Sequence, residues 1–129
     1  MEIRTHQCID AAICGHPLHV DSGYSRIELL TSSVMAADRS GLVHGGFIFG
    51  LADYAAMIAV NHPNVVLGAA DVKFLKPVRV GETVVAEARV EEVQGKKNWV
   101  AVSVMIDREI VFQGMFTCFV PEKHVLDAN

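Results

Sequence analysis

A single carboxylate, Asp53, interrupts a long apolar stretch that runs from Phe47 to Val60. An ionised carboxylate that is buried without a partner is costly, so a protein keeps one there only for a reason. Perturbed carboxylates of this kind concentrate at functional sites, where they act as general bases or nucleophiles. The structural alternative is that Asp53 bonds to the backbone at a bend near Gly50. We favour the functional interpretation.

Two glycines, Gly45 and Gly46, precede this stretch and would lie at the N-terminus of a helix that contains it. Free N–H groups and the positive end of the helix dipole can there hold a carbonyl oxygen that becomes an oxyanion. A Gly-Gly turn without a ligand has the same sequence, so the pair alone is weak evidence. The pair gains weight only in combination with Asp53.

The spacing of these residues carries a prediction about assembly. Gly46 and Asp53 are seven residues apart, which places them on one helix face but about 10 Å apart along the axis. A reacting atom must lie within about 3 to 3.5 Å of its base or nucleophile, so one carbonyl group cannot contact both. A site that uses both features needs two helices, as two-fold symmetry supplies. We therefore expect a homodimer with shared sites, and a homotetramer is compatible with it.

The element that carries these residues follows from hydrophobic periodicity. The Ala-rich run from Gly45 to Val60 is too long for an ordinary strand and ends at Asn61-His62-Pro63, so it predicts a helix. The run is apolar nearly all round, so the helix must be wrapped by other elements. A short leading helix with Thr5 as its N-cap is expected to stop at Gly15 and Pro17.

Strands are predicted on both sides of the long helix from β-favouring residues and from alternation of polar and apolar residues. Short turns at 94–98 and 107–109 join the later strands, so the sheet is expected to be antiparallel. The sequence thus predicts an α+β fold in one domain, residues 1–129, with a curved antiparallel sheet wrapped around one long apolar helix. The expected strands are 24–30, 69–76, 84–91, 99–106 and 110–120.

Composition limits the classes of function. The chain has 129 residues, 51% of them hydrophobic, and a net charge of -4, which supports one filled core and argues against a nucleic-acid partner. The longest apolar run is shorter than the roughly 20 residues of a membrane span, so we expect no membrane partner. Three cysteines and the lack of an N-terminal apolar segment predict reduced thiols in a cytoplasmic protein.

A metal site is not predicted. Cys8, Cys14, His16 and His19 cluster in the sequence, and both residue types bind zinc. Their spacing fits no common zinc site, so we expect core cysteines and surface histidines.

The segment Val43-His44-Gly45-Gly46-Phe47-Ile48-Phe49-Gly50-Leu51-Ala52-Asp53 resembles the HGG-x6-D helix signature of hot-dog-fold acyl-CoA thioesterases. The chain is most similar to the phenylacetyl-CoA-type subfamily, over most of its length and including the segment 71–82. The resemblance implies the hot-dog fold and dimers whose sheets join edge to edge. It also implies an acyl-CoA ligand, with coenzyme A as part of the substrate and no separate cofactor.

The resemblance also implies residue roles. Asp53 matches the carboxylate that acts as nucleophile or general base on the thioester. The N–H of Gly45 matches the group that polarises the thioester carbonyl from the opposite protomer. His44 matches a residue that shapes the turn and the pocket, and Gly46 completes the substrate-binding turn. Lys96 and Lys97 could meet CoA phosphates, although a charged turn is usually just exposed.

Two positions depart from the family pattern. The family often has Asn six residues before the motif histidine, where this chain has Asp38. If Asp38 lies in the pocket, it would repel Asp53 and raise the pKa of one carboxyl; otherwise it is a solvated loop acid beside Arg39. Many members also place Ser or Thr on the strand after the helix, where Asp71 is here the nearest polar residue.

Three functions remain in view. The favoured one is hydrolysis of acyl-CoA thioesters. The second is a non-catalytic acyl-CoA sensor or binding module, because relatives with this fold serve as ligand domains of lipid-synthesis regulators. A hot-dog hydratase is disfavoured, because hydratases pair a catalytic His with an acid in a different motif.

Overall fold

The computed structural model describes residues 1–127. These residues, 1–127, form two α-helices and six strands, with short 3-10 turns at Ser33–Met35 and Val125–Asp127. The helices are α1 (Ala11–Cys14) and α2 (Gly45–Val60), and the strands are β1 (His16–Asp21), β2 (Tyr24–Leu30), β3 (Val66–Phe74), β4 (Thr83–Gln94), β5 (Lys97–Ile106) and β6 (Glu109–Phe119).

Helix α2 confirms the predicted long apolar helix with the predicted bounds. It ends because Asn61 adopts a left-handed conformation, φ 52°, and its N–H donates to the carbonyl of Met57 at 2.8 Å. A left-handed C-terminal residue satisfies a carbonyl that would otherwise lack a donor. Most side chains of α2 are buried, so the helix lies inside the fold rather than on its surface.

The six strands form one antiparallel sheet in the order β1-β2-β4-β5-β6-β3. The sheet curves around α2, which packs mainly on β2, β4 and β5. The inner face supplies alternate residues of each strand to the core, with Phe112 and Phe116 of β6 among the largest buried side chains. This arrangement confirms the predicted α+β class and the hot-dog fold.

The leading segment differs from the prediction. The helix there is one turn long, α1, and its N-cap is Asp10, whose side chain accepts from the N–H of Ala12 at 2.9 Å. Thr5, the expected cap, is buried instead. The helix ends at Cys14, before Gly15 and Pro17, as predicted, and the chain then continues as β1, which pairs only with β2 at the edge of the sheet. Proline is tolerated there because an edge strand has N–H positions that need no partner.

Strand β3 also starts and ends earlier than predicted, at Val66 and Phe74 rather than at 69 and 76. It forms the other edge of the sheet and pairs only with β6. One side of its backbone therefore carries unpaired N–H and C=O groups, which are a template for pairing with another chain. Within residues 1–127, no helix combines the length and the apolar character that crossing a membrane requires.

Candidate functional site

Asp53 lies in the middle of α2 with its side chain half-buried. Its Oδ1 atom is buried and has no hydrogen-bond partner among residues 1–127. Burial raises the pKa of Asp53 from 3.8 to about 6, because the surrounding apolar groups solvate the charge poorly. The structural alternative, a backbone hydrogen bond that satisfies the carboxylate, is not made by Oδ1. Asp53 is thus a buried, unpartnered carboxylate that is more basic than an exposed aspartate.

A cavity of about 490 Å³ opens beside Asp53. Its walls come from four parts of the chain that are distant in sequence, namely the N-terminal segment, α2, the loop into β3 and the C-terminal segment. Of the carboxylates within residues 1–127, Asp53 is the one that lines this cavity. The residues that surround it are Thr5, His6, Met57, Pro63, Val65, Val66, Leu67, His124, Val125 and Leu126.

Two thiols lie near enough to Asp53 for its charge to raise their pKa values. Burial raises the pKa of Cys14, and the Asp53 charge adds to the effect. Burial raises the pKa of Cys118 to about 12, again with a contribution from Asp53. The thiolate is the reactive form of cysteine, so these thiols do not compete with Asp53 at neutral pH. Among residues 1–127, no three His, Cys, Asp or Glu side chains come together in a way that could hold a metal ion.

The glycine pair lies at the opposite end of α2 from this cavity. Gly45 lines a separate cavity of about 210 Å³ beside Phe74. A Cβ atom on Gly45 would lie 3.1 Å from the Phe74 ring, so this position leaves little room for a side chain. The N–H groups of Gly45 and Gly46 belong to the first helical turn, which offers them no carbonyl acceptor. Within one chain, Gly45 and Asp53 therefore face different cavities.

His44 takes the N-cap position of α2 with an extended backbone. Its side chain makes no capping hydrogen bond and packs edge-on against Phe47, with the ring centroids 6.2 Å apart. A Cβ atom on Gly46 would lie 3.1 Å from the His44 ring. His44 thus packs against the turn that carries the two glycine N–H groups.

Asp38 is an exposed loop residue in the single chain. Its Oδ1 accepts hydrogen bonds from the N–H and the hydroxyl of Ser40. These bonds, the hydroxyl bond first, lower the pKa of Asp38 from its ordinary value. Asp38 does not line the cavity of Asp53, and the geometry of one chain matches the loop-acid alternative.

Asp71 does not approach Asp53 within the chain. It lies on β3 opposite Met115 and is exposed on the face of the sheet away from α2. There it lines a shallow cavity of about 320 Å³ together with Lys73. The expected pair of lysines in the β4–β5 turn is also engaged elsewhere, with Lys96 Nζ 3.8 Å from Glu122 and Lys97 over the ring of Phe119.

The structure brings two residues to the Asp53 cavity that the sequence does not mark as site residues, Thr5 and His6. The sequence pattern predicts only a helix cap at Thr5 and no role for His6. Local pattern holds no signal for either, because contacts between residues about 57 positions apart place them there, as between Arg4 and Asn61. A left-handed backbone at His6, φ 52°, is likewise visible only in three dimensions.

Comparison with known proteins gives a family. A family model described as "Thioesterase superfamily" matches residues 40–110, more than half of the chain. A curated protein of Aquifex aeolicus named methylthioribose-1-phosphate isomerase is 53% identical over 90% of this chain, which spans 25% of that protein. Transcription factor FapR of Caldanaerobacter subterraneus is 27% identical over 92% of this chain, which spans 60% of it. The chain therefore covers less than two thirds of either relative.

Solved structures give the same fold. The Pyrococcus horikoshii protein PH1136 has a TM-score of 0.97 and 53% identity, with 98% of both chains covered. The smu.793 protein of Streptococcus mutans, solved bound to acetyl CoA, has a TM-score of 0.81 and 21% identity over 92% of this chain and 97% of that one. The PaaI protein of E. coli, from the phenylacetic acid degradation operon, has a TM-score of 0.75 and 22% identity over 81% of each chain.

Proposed function

Because this chain belongs to the thioesterase superfamily, we propose that it hydrolyses acyl-CoA thioesters, with Asp53 as the catalytic carboxylate. The observation that carries the proposal is the buried, unpartnered Oδ1 of Asp53 at the wall of a cavity of about 490 Å³. A buried carboxylate without a partner is destabilising, so its retention there points to a task in catalysis. The HGG-x6-D pattern in which Asp53 stands supports the phenylacetyl-CoA type.

The chemistry of Asp53 follows from its environment. A pKa of about 6 leaves Asp53 largely ionised at pH 7 while making it more basic than an exposed aspartate. As a general base, Asp53 takes a proton from water, and the water oxygen attacks the thioester carbonyl. As a nucleophile, Asp53 attacks the carbonyl itself and forms an anhydride that water then hydrolyses. Both routes release a carboxylic acid and the CoA thiol.

The oxyanion that forms on the carbonyl needs donors, which Asp53 cannot supply. We assign this role to the N–H of Gly45 from a second protomer, with Gly46 and His44 forming the turn that exposes it. Support comes from the separate cavities of Gly45 and Asp53 within one chain. The unpaired edge of β3 offers a surface on which two sheets can join. The catalytic unit in this proposal is a homodimer.

Acyl-CoA turnover by the purified protein tests the function. Thiol release should be measured over a panel that includes acetyl-, long-chain acyl- and arylacetyl-CoA. Asp53→Asn should keep the fold and lose at least about 100-fold in kcat, because the amide can neither accept the proton nor attack. Asp107→Asn is the matched control, since Asp107 is exposed in the β5–β6 turn with φ 55°, which Asn tolerates.

The two routes for Asp53 are separable by isotope labelling. If Asp53 is the nucleophile and water opens the anhydride at the Asp53 Cγ atom, a single turnover in H₂18O should place the label in the protein carboxylate and not in the released acid. It should place the label in the acid alone if Asp53 is the base. Unchanged turnover in a folded Asp53→Asn variant contradicts both.

A second candidate is acyl-CoA binding without hydrolysis. The observation that favours it is the similarity to transcription factor FapR over 92% of this chain. A binder would retain acyl-CoA affinity in the Asp53→Asn variant, and the wild type would release no thiol with any acyl-CoA. The isomerase activity in the name of the Aquifex protein is not proposed, because this chain spans only 25% of that protein.

A further inference from the structure

The N-terminal segment is fastened to the end of α2 by one residue, Asn61. The Oδ1 of Asn61 accepts from the N–H of Arg4 at 2.8 Å, and its Nδ2 donates to the carbonyl of Glu2 at 2.7 Å. The Arg4 guanidinium also donates to the carbonyl of Asn61 at 3.1 Å. Asn61 is itself buried, and the three bonds are partly buried. The segment is therefore a fixed wall of the fold.

His6 lies at the point where this wall reaches the Asp53 cavity. Its backbone is left-handed, φ 52°, a conformation that non-glycine residues adopt rarely and that accumulates at functional sites. Its Nδ1 lies 2.8 Å from the Oγ1 of Thr5, which is buried. This hydrogen bond orients the ring, and both residues line the cavity that Asp53 lines.

We propose that His6 is a second catalytic residue of the thioester hydrolysis, carrying a proton between Asp53 and the departing CoA sulfur. The inference rests on the function proposed for Asp53. In the tautomer whose Nδ1–H donates to Thr5, the Nε2 of His6 keeps its lone pair. His6 is half-buried and lines the cavity that Asp53 lines, and the proposal places its Nε2 on the cavity side of the ring.

The proton balance gives His6 its task. On the general-base route, Asp53 removes one proton from water while the water oxygen bonds to the carbonyl carbon. The tetrahedral intermediate then breaks its C–S bond, and the electron pair leaves on sulfur. The proton on Asp53 passes to Nε2 of His6, and from there to the thiolate. Asp53 and His6 regain their starting states, and the net reaction is thioester plus water to acid plus thiol.

The remaining groups that face Asp53 or the cavity are less suited to this task. Cys14 and Cys118 have raised pKa values and stay protonated, so they accept no proton at neutral pH. His124 is exposed, and its Nδ1 accepts from the N–H of Leu126 at 3.1 Å. Burial lowers the pKa of His6 below its ordinary 6.5. A neutral imidazole results, which can accept a proton and readily release it.

The test uses two variants that preserve the left-handed backbone. Asn tolerates φ 52° and can keep the hydrogen bond to Thr5, but it has no group that carries a proton in place of the imidazole Nε2. Glycine also tolerates this backbone angle and leaves space for a free imidazole. We expect His6→Asn and His6→Gly to lose about 100-fold in kcat with KM within about two-fold. Added imidazole should restore much of the kcat of His6→Gly and none of that of Asp53→Asn.

His62→Asn is the matched control, because the His62 ring also makes a local hydrogen bond, its Nδ1 accepting from the N–H of Asn64 at 3.0 Å, but His62 does not line the cavity. It should retain wild-type kcat with or without imidazole. The circular dichroism spectrum and the melting temperature establish that each variant is folded. If His6→Gly fails to fold, the kcat and pH–rate profile of His6→Asn decide the question.

The outcomes separate the two proposals. An active wild type in which His6→Asn keeps full kcat overturns the role of His6 and leaves Asp53 standing. If imidazole does not restore the low kcat of His6→Gly, the role of His6 is likewise overturned and that of Asp53 is left standing. A wild type that releases no thiol from any acyl-CoA overturns both proposals.

Discussion

Replacement of Asp53 by Asn should increase the stability of the variant relative to the wild type as the pH rises. The pKa of Asp53 is raised by burial from 3.8 to about 6 in the folded chain. Between these values the folded chain binds more protons than the unfolded chain, so wild-type stability falls as pH rises through this window. Asn does not titrate, so the variant lacks this loss.

The magnitude follows from the pKa difference. A shift from 3.8 to about 6 corresponds to roughly 3 kcal/mol when the carboxylate is ionised in both states. By the same relation, ionisation of Asp53 destabilises the wild type at pH 5 by about half of this amount. The variant should therefore gain roughly 1.5 kcal/mol over the wild type between pH 5 and pH 8. The amide of Asn is also buried without a partner, and its cost is independent of pH, so it cancels in this difference.

Urea denaturation of wild type and Asp53→Asn at pH 5, 6, 7 and 8 measures the effect. Both proteins should be held at the same protomer concentration, because association shifts the midpoint. Asp107→Asn, at an exposed turn, should follow the wild type at every pH. A constant stability difference between wild type and Asp53→Asn across this range would refute the raised pKa, and with it the argument that burial made Asp53 basic.

Four further predictions concern other parts of the molecule. Sedimentation at micromolar concentration should give twice the chain mass or more, through the unpaired edge of β3; a monomer would contradict the shared site. Asp38→Asn should leave the acidic limb of the pH–rate profile unchanged, because Asp38 is exposed and bonded to Ser40; a shifted limb would show that it faces the catalytic carboxylate in the assembly. Gly114→Ala should lose about 1 to 3 kcal/mol in urea denaturation, since its Cβ would lie 2.6 Å from the Asp71 carbonyl oxygen. Gly50→Ala, with nothing within 4 Å, should instead gain about 1 kcal/mol.

Elements with a strong local pattern were predictable. The helix Gly45–Val60 and the strand Tyr24–Leu30 have the bounds that their residue patterns predicted. Each is a continuous run of residues whose start or end is marked by its immediate neighbours in the sequence, a glycine before the strand and Asn-His-Pro after the helix. Asp53 was likewise recognisable, because a carboxylate in an apolar helix is unusual in any fold. The structure adds that its Oδ1 is buried and unpartnered.

Edges and long-range contacts were not predictable. Strand β1 carries Pro17 and has mostly exposed residues, so it lacks the alternation that marks a half-buried strand. Its existence depends on pairing with β2. The N-cap of the leading helix was wrong for a related reason, because Thr5 is buried in the tertiary structure rather than free to cap, whereas the predicted end of that helix before Gly15 was confirmed.

The amino-acid sequence by itself determined the apolar helix, the antiparallel strands and the carboxylate that stands out among them, because each is specified by residues close together in the chain. Only the tertiary structure decided what surrounds that carboxylate. It brought Thr5 and His6 to the Asp53 cavity and left Asp71 exposed on the other face of the sheet. Contacts such as Arg4 with Asn61 join residues 57 positions apart, and no periodicity within one element encodes a contact between elements so distant.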